Sequence, residues 1–136
     1  MIACLETTQT MTDPVYLESL RRSRHLARRG ITGVMREHRL DALIAPTIRE
    51  AWPIDLIHQD QFIGQGSAGP HNAAGFPCIT VPAGYVGELP VGLSFVAGAW
   101  SEPKLLRLAY AFEQGHPVRR VPKLLEDYGE RDFVDR

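Results

Sequence analysis

The stretch from Gly69 to Trp100, "GPHNAAGFPCITVPAGYVGELPVGLSFVAGAW", limits the possible folds more than any other part of the chain. Its apolar runs are broken by proline and glycine too often for a long helix, so it predicts a strand, a tight connection and a second strand. Pro77 and Pro82 bracket a short strand from Cys78 to Val81, because proline cannot donate to a central ladder. "YVGELP" predicts a hairpin-type connection. Beyond it, Val91, Leu93, Phe95 and Ala97 alternate with small or polar residues, the period of a strand covered on one face. Upstream, "PHNAAG" predicts a helical turn closed by Gly75.

Helices flank this unit. In "MTDP", Thr12 or Asp13 can cap a helix whose first position is Pro14, where a missing N–H costs nothing. Val15, Leu17, Leu20, His25 and Leu26 give an amphipathic pattern to about Arg29, and Gly30 predicts its stop. Ile31, Val34 and Met35 form the apolar stripe of a second helix. "LDALIAPT" then has a continuous apolar run, Ala42 to Ala45, ended by Pro46, which predicts a strand buried on both faces. After a long connection with broken periodicity and the two strands above, Glu102 and Pro103 favour a helix start at Ser101. Leu105, Leu106, Leu108, Ala109 and Phe112 supply its buried face to about Gln114, with Gly115 as the stop. Such an order, with about three strands and about three covering helices, is that of an α/β domain.

With 136 residues, of which 44% are hydrophobic and 23% charged, the chain has the composition of one globular domain. It divides into a flexible N-terminus (1–12), a folded segment (13–122) and a charged tail (123–136). No apolar run approaches the roughly 18 residues that span a bilayer, and "MIACLETTQTMTDP" has no secretory pattern, so the expectation is a cytoplasmic protein that does not engage membranes. Cys4 and Cys78 are far apart and do not predict a disulfide. The arginines of "RRSRHLARRG" are expected on the wet face of a helix. No aromatic interleaving or reading motif accompanies them, so nucleic-acid binding is not expected.

The chemistry-bearing residues form no complete set. Ser67, in "GQGSAG", lacks the spacing of a nucleophile elbow and is expected to serve a flexible loop. The same glycines match no phosphate-binding motif. Cys78 could be activated by His71, but at the start of an apolar strand a buried, inert thiol is expected. His58, Asp60 and His71 are metal-ligand types at spacings that fit no template, and Asp55 with Asp60 would need a folded distance to act as an acid–base pair. Neither a metal nor a cofactor is expected.

At "LDALIAPT", "AWPIDL", "NAAGFPCITVPAG" and "LPVGLSFVAGAWSEPKLLRLAYAFEQ" the chain resembles the C-terminal portion of the amidase signature family, from about Asp13 to Pro122. The pattern N-x-A-G-x-P-x-I-T-V-P-A-G, followed by L-P-x-G-L-x-F and E-x-x-L-L-x-x-A-x-x-F-E, carries the resemblance. It implies a fragment of the amidase signature fold, with the strands belonging to a mixed sheet flanked by helices. It also implies hydrolysis of carboxamides to carboxylate and ammonia, or the ammonia transfer of the amidotransferases that act on aminoacyl-tRNA. The family's Ser-Ser-Lys triad lies in a glycine- and serine-rich signature upstream of the matched region. No "GGSSGGS"-like run occurs here, and Lys104 and Lys123 are the only lysines. The triad therefore transfers to no residue, while the loop from Trp52 to Asn72 would border the substrate cavity with Asp60 and Gln65 as contacts.

A sheet with such a portion missing leaves strand edges and an apolar face to be covered. The expectation is a truncated amidase-family protein, inactive alone, that self-associates or meets a complementary N-terminal amidase chain. The alternatives are one half of a split amidase, active with that chain, or a binding module.

Overall fold

The structure, a computed structural model, describes residues 10–52, 57 and 66–122. Helix α1 spans Pro14–Glu37, with Asp13 as its cap: one carboxylate oxygen accepts from the Val15 N–H at 2.8 Å and the Tyr16 N–H at 3.4 Å. The helix passes straight through Gly30, so the two predicted helices are one. A glycine ends a helix when it takes a left-handed conformation, whereas an interior glycine costs only about 1 kcal/mol. The left-handed residue here is Arg39, at φ 52°. Around it the Leu40 N–H reaches Met35 O at 2.8 Å and the Arg39 N–H reaches Arg36 O at 3.2 Å, a Schellman closure built without glycine.

Strand β1 covers Leu43–Pro46, helix α2 Ala68–Ala74, strand β2 Cys78–Val86, strand β3 Leu89–Val96 and helix α3 Glu102–Gly115. Among the described residues there are three strands and three helices, the predicted count, but the helices are apportioned differently: two predicted helices merge in α1, and the helical turn before Gly75 is a helix of its own, α2. The sheet order is β1-β3-β2, and both pairings are antiparallel. β1 and β2 run parallel to each other but are not hydrogen-bonded neighbours, because the hairpin partner β3 lies between them. Gly87 opens the turn of that hairpin at φ 60°, the positive value that a primed two-residue connection demands. Gly75 closes α2 at φ 65° by a second Schellman pair, Phe76 N–H to His71 O at 3.0 Å and Gly75 N–H to Asn72 O at 3.1 Å.

Two strand expectations need correction. Strand β2 does not stop at Pro82; it continues to Val86 through a bulge between Pro82 and Gly84, where the ladder tolerates a residue without an N–H. Strand β1 is not buried on both faces. It is an edge strand with alternating burial, and Ile44 is 64% exposed.

The core lies on one face of the sheet, where Val81 and Phe95 meet Ala97, Leu105 and Ala109. Ile79, Leu93, Leu108 and Phe112 fill in around them. Leu106, placed on the buried face by the sequence pattern, is exposed instead. On α1 only Ile31 is buried and Val15, Leu20 and Leu26 face out; among the described elements it is the short α2 that packs most on this helix, while Met35 near its end reaches the sheet core. The Arg28 guanidinium holds that contact: its Nε donates to Ala74 O at 2.7 Å, and its carbon lies 5.7 Å from the centre of the Phe76 ring.

Lys104 joins the first turn of α3 to the approach to β1 through a 2.6 Å bond to Asp41 Oδ1. The hydrogen bond from Lys104, and then its positive charge, hold the Asp41 carboxyl below its ordinary value. A carboxyl lowered in the folded state adds stability above its unfolded pKa, and that stability is lost as pH falls through the folded value. In urea titrations, Asp41→Asn is therefore expected to fall short of the parent protein above about pH 5 and to converge with it in strong acid. Both groups are solvent-exposed, so the gap is expected to be small and to shrink with added salt.

Candidate functional site

The sheet face opposite the α3-covered core carries hydroxyl groups. In the register, Ala45, Ser94 and Thr80 lie side by side across the three strands, and directly paired residues share a face. Thr47 follows β1, tied to the sheet by its N–H to Gly92 O at 2.8 Å. Three hydroxyls then close a triangle: Thr47 to Ser94 at 2.7 Å, Thr80 to Ser94 at 3.0 Å, and Thr47 donating to Thr80 at 3.3 Å. Ser94 is 1% exposed, Thr47 is half-buried and Thr80 reaches solvent.

Two glycines make the room. A β-carbon on Gly92 would stand 2.8 Å from Thr80 Cγ2 and 3.0 Å from Thr47 Oγ1. One on Gly66 would stand 2.5 Å from Thr47 O, closer than real β-carbons come. With Gly66 bare, the Ser67 N–H reaches that same carbonyl at 3.0 Å, fixing the start of α2 against the end of β1.

Of the residues singled out by sequence, Asp60 and Gln65 lie outside the described residues, as do Asp55 and His58. Among the described residues, the buried hydroxyl of Ser67 has no hydrogen-bond partner, so no base is in place to activate it. Cys78 is a free, exposed thiol rather than the buried one expected, because β2 alternates and Cys78 falls on the outward side. His71 is buried on α2, and no hydrogen bond joins it to Cys78. Among the described residues no group of three or more His, Cys, Asp or Glu side chains could hold a metal ion. Ser94 is held by two neutral hydroxyls, neither of which can take its proton. The arrangement can therefore bind and orient a ligand but cannot by itself attack one.

Thr47, Thr80, Ser94 and Gly92 were not singled out in the sequence, although single hydroxyls within the apolar runs "CITVP" and "GLSFV" were a usable signal. Their meeting depends on the bulge. Counting back from the Val86–Leu89 end of the hairpin, an unbroken ladder would set Thr80 opposite Phe95; the register shift between Pro82 and Gly84 sets it opposite Ser94.

Comparison with known proteins gives this architecture its relatives. The family model described as Amidase matches residues 3–106. A probable amidase of Arabidopsis thaliana is 33% identical over 108 residues, covering 79% of this chain and 18% of that protein. A glutamyl-tRNA(Gln) amidotransferase component from Desulforudis audaxviator is 35% identical over 117 residues, covering 82% of this chain and 23% of the relative. The native peptide amidase from Stenotrophomonas maltophilia superposes with a TM-score of 0.75 at 42% identity, covering 87% of this chain and 23% of the other. The chain belongs to the amidase family, and the three-stranded sheet with its helices is a portion of that fold. It spans about a fifth to a quarter of the length of these relatives.

Proposed function

We propose that this chain supplies the C-terminal wall of an amidase-type centre that hydrolyses carboxamides to carboxylate and ammonia, and that it turns over no amide alone. One observation carries the reading: the match extends over most of the chain, yet the sequence contains neither a glycine- and serine-rich signature nor a lysine before Lys104. Hydrolysis needs a nucleophile held beside a base and donors for the oxyanion. The residues that do match build α1, α2, the three strands and the first turn of α3.

Residues 13–122 form the amidase-like unit in this reading, with 1–12 and 123–136 flanking it. Asp60 and Gln65, on the connection between β1 and α2, contact the substrate. The attacking serine and its lysine belong to the N-terminal part of the family fold, which a complementary polypeptide can supply. Exposed apolar groups support such a partner: Ile44 on the edge strand, Leu106 and Tyr110 on α3, and Trp100, which is 91% exposed. Edge β1 has an unpaired side among the described strands, where strand addition would extend the sheet. The relative named as one component of glutamyl-tRNA(Gln) amidotransferase is consistent with life in an assembly. No helix among the described residues is long and apolar enough to cross a membrane.

The test is complementation. The chain is mixed with a polypeptide carrying the glycine- and serine-rich part of a related peptide amidase, and ammonia release from a peptide carboxamide is followed. The expected result is turnover by the mixture and by neither part alone, together with a complex on size exclusion. A stable complex without turnover, or no complex at all, would contradict the proposal.

A further inference from the structure

We infer that the Thr47–Thr80–Ser94 hydroxyl triangle is a binding site for an N–H donor, of the kind presented by a primary carboxamide or an ammonium ion. The inference rests on the amidase-type reading above for its biological ligand, but the site itself is argued from the geometry.

Three hydroxyl groups bring three protons and six acceptor lone pairs. With Thr47 donating to Thr80, Thr80 is free to donate to Ser94 and Ser94 to Thr47, so one proton serves each of the three contacts. Every proton is then committed inside the ring, and one lone pair remains on each oxygen. A ring in this state has only acceptors to offer. An incoming carboxylate would have to break an internal bond to find a donor, whereas an amide N–H or an ammonium finds acceptors already oriented.

Access and shape agree with this. Ser94 sits at the buried floor while Thr80 opens to solvent, so a small group approaches from the Thr80 side. The two threonines occupy the space beside Gly92, where a methyl group would crowd Thr80 Cγ2 and Thr47 Oγ1, so the bare glycine lets their hydroxyls close on Ser94. Leu43 and Ala45, half-buried on the same face, and the exposed Cys78 flank the triangle with groups suited to the less polar part of an amide.

Binding of probes to the purified chain tests the inference without any need for turnover. Acetamide, ammonium chloride and sodium acetate are titrated separately while the backbone amide and threonine methyl signals are followed by NMR. The expected result is a saturable shift centred on Thr47, Thr80 and Ser94 with acetamide, ammonium or both, and a markedly weaker response to acetate. A response to acetamide assigns the site to the uncharged carboxamide, and a response to ammonium alone assigns it to released ammonia. Thr80→Val should weaken binding about five- to tenfold by removing one acceptor, and Thr80→Ser should restore it. An equal response to acetate, no response to either N–H donor, or undiminished binding in a folded Thr80→Val protein would overturn the inference. These outcomes are independent of complementation: the site can bind acetamide even where no partner restores turnover, and turnover can appear where the triangle binds nothing.

Discussion

Phe95→Ala is expected to lower the unfolding free energy by about 3–5 kcal/mol, a large share of the about 5–15 kcal/mol that holds a typical domain together. Phe95 sits on the central strand, 7% exposed, in the cluster that joins the sheet to α3. Its ring meets Phe112 edge-on, with centroids 5.9 Å apart and planes at 67°. Truncation removes that contact and leaves a void between Val81 and Leu105 that a strand paired on both sides cannot close by collapsing. Phe95→Leu keeps most of the volume and should cost distinctly less. Urea denaturation of the two variants checks the expectation, and a loss below about 1 kcal/mol for the alanine variant would mean that α3 does not cover the sheet as described.

The second large effect falls on the opposite face. Gly92→Ala places a methyl group 2.8 Å from Thr80 Cγ2 and 3.0 Å from Thr47 Oγ1, and overpacking of this kind costs about 1–3 kcal/mol. The Thr80 methyl is the worse of the two contacts, so the cost depends on it. Thr80→Ser removes that methyl and keeps the hydroxyl. Introduced into the Thr80→Ser background, Gly92→Ala should therefore cost much less, and a double-mutant cycle should give a favourable coupling of about 0.5–3 kcal/mol. Additivity of the two changes would show that Gly92 is not there to make room for the threonines.

Much of the architecture was legible from punctuation and period. Pro14 after an Asp cap, Gly75 after a short apolar turn, and the period-two run Val91 to Ala97 each predicted an element that the structure contains. The misreadings share a cause, since each required tertiary knowledge. Gly30 looked like a stop, but a glycine ends a helix only where the chain turns left-handed, and that turn came at Arg39. Pro82 looked like the end of a strand, but a bulge absorbs it. The apolar run before Pro46 looked like an interior strand, yet only the sheet order shows that β1 lies at the edge.

The hydroxyl triangle was illegible for a sharper reason. Thr47, Thr80 and Ser94 come from three separate segments, and the residue that brings Thr80 opposite Ser94 is the extra one at Ala83. Gly84, at φ 151°, adopts the backbone there that a side chain would resist. A one-residue difference in the ladder would have turned Thr80 toward the core, and nothing in the local composition counts that residue. By contrast, what the chain lacks was plain from the start: two lysines and no serine-rich run can be counted without a fold.

The central claim is that these 136 residues carry part of the wall of a hydrolytic cavity and not its attacking oxygen or proton acceptor. The most direct measurement is ammonia release from a simple peptide carboxamide by the rigorously purified chain at high concentration. The account predicts a rate indistinguishable from buffer, unchanged by Ser67→Ala or Ser94→Ala. Steady turnover that one of those two substitutions abolishes would contradict it.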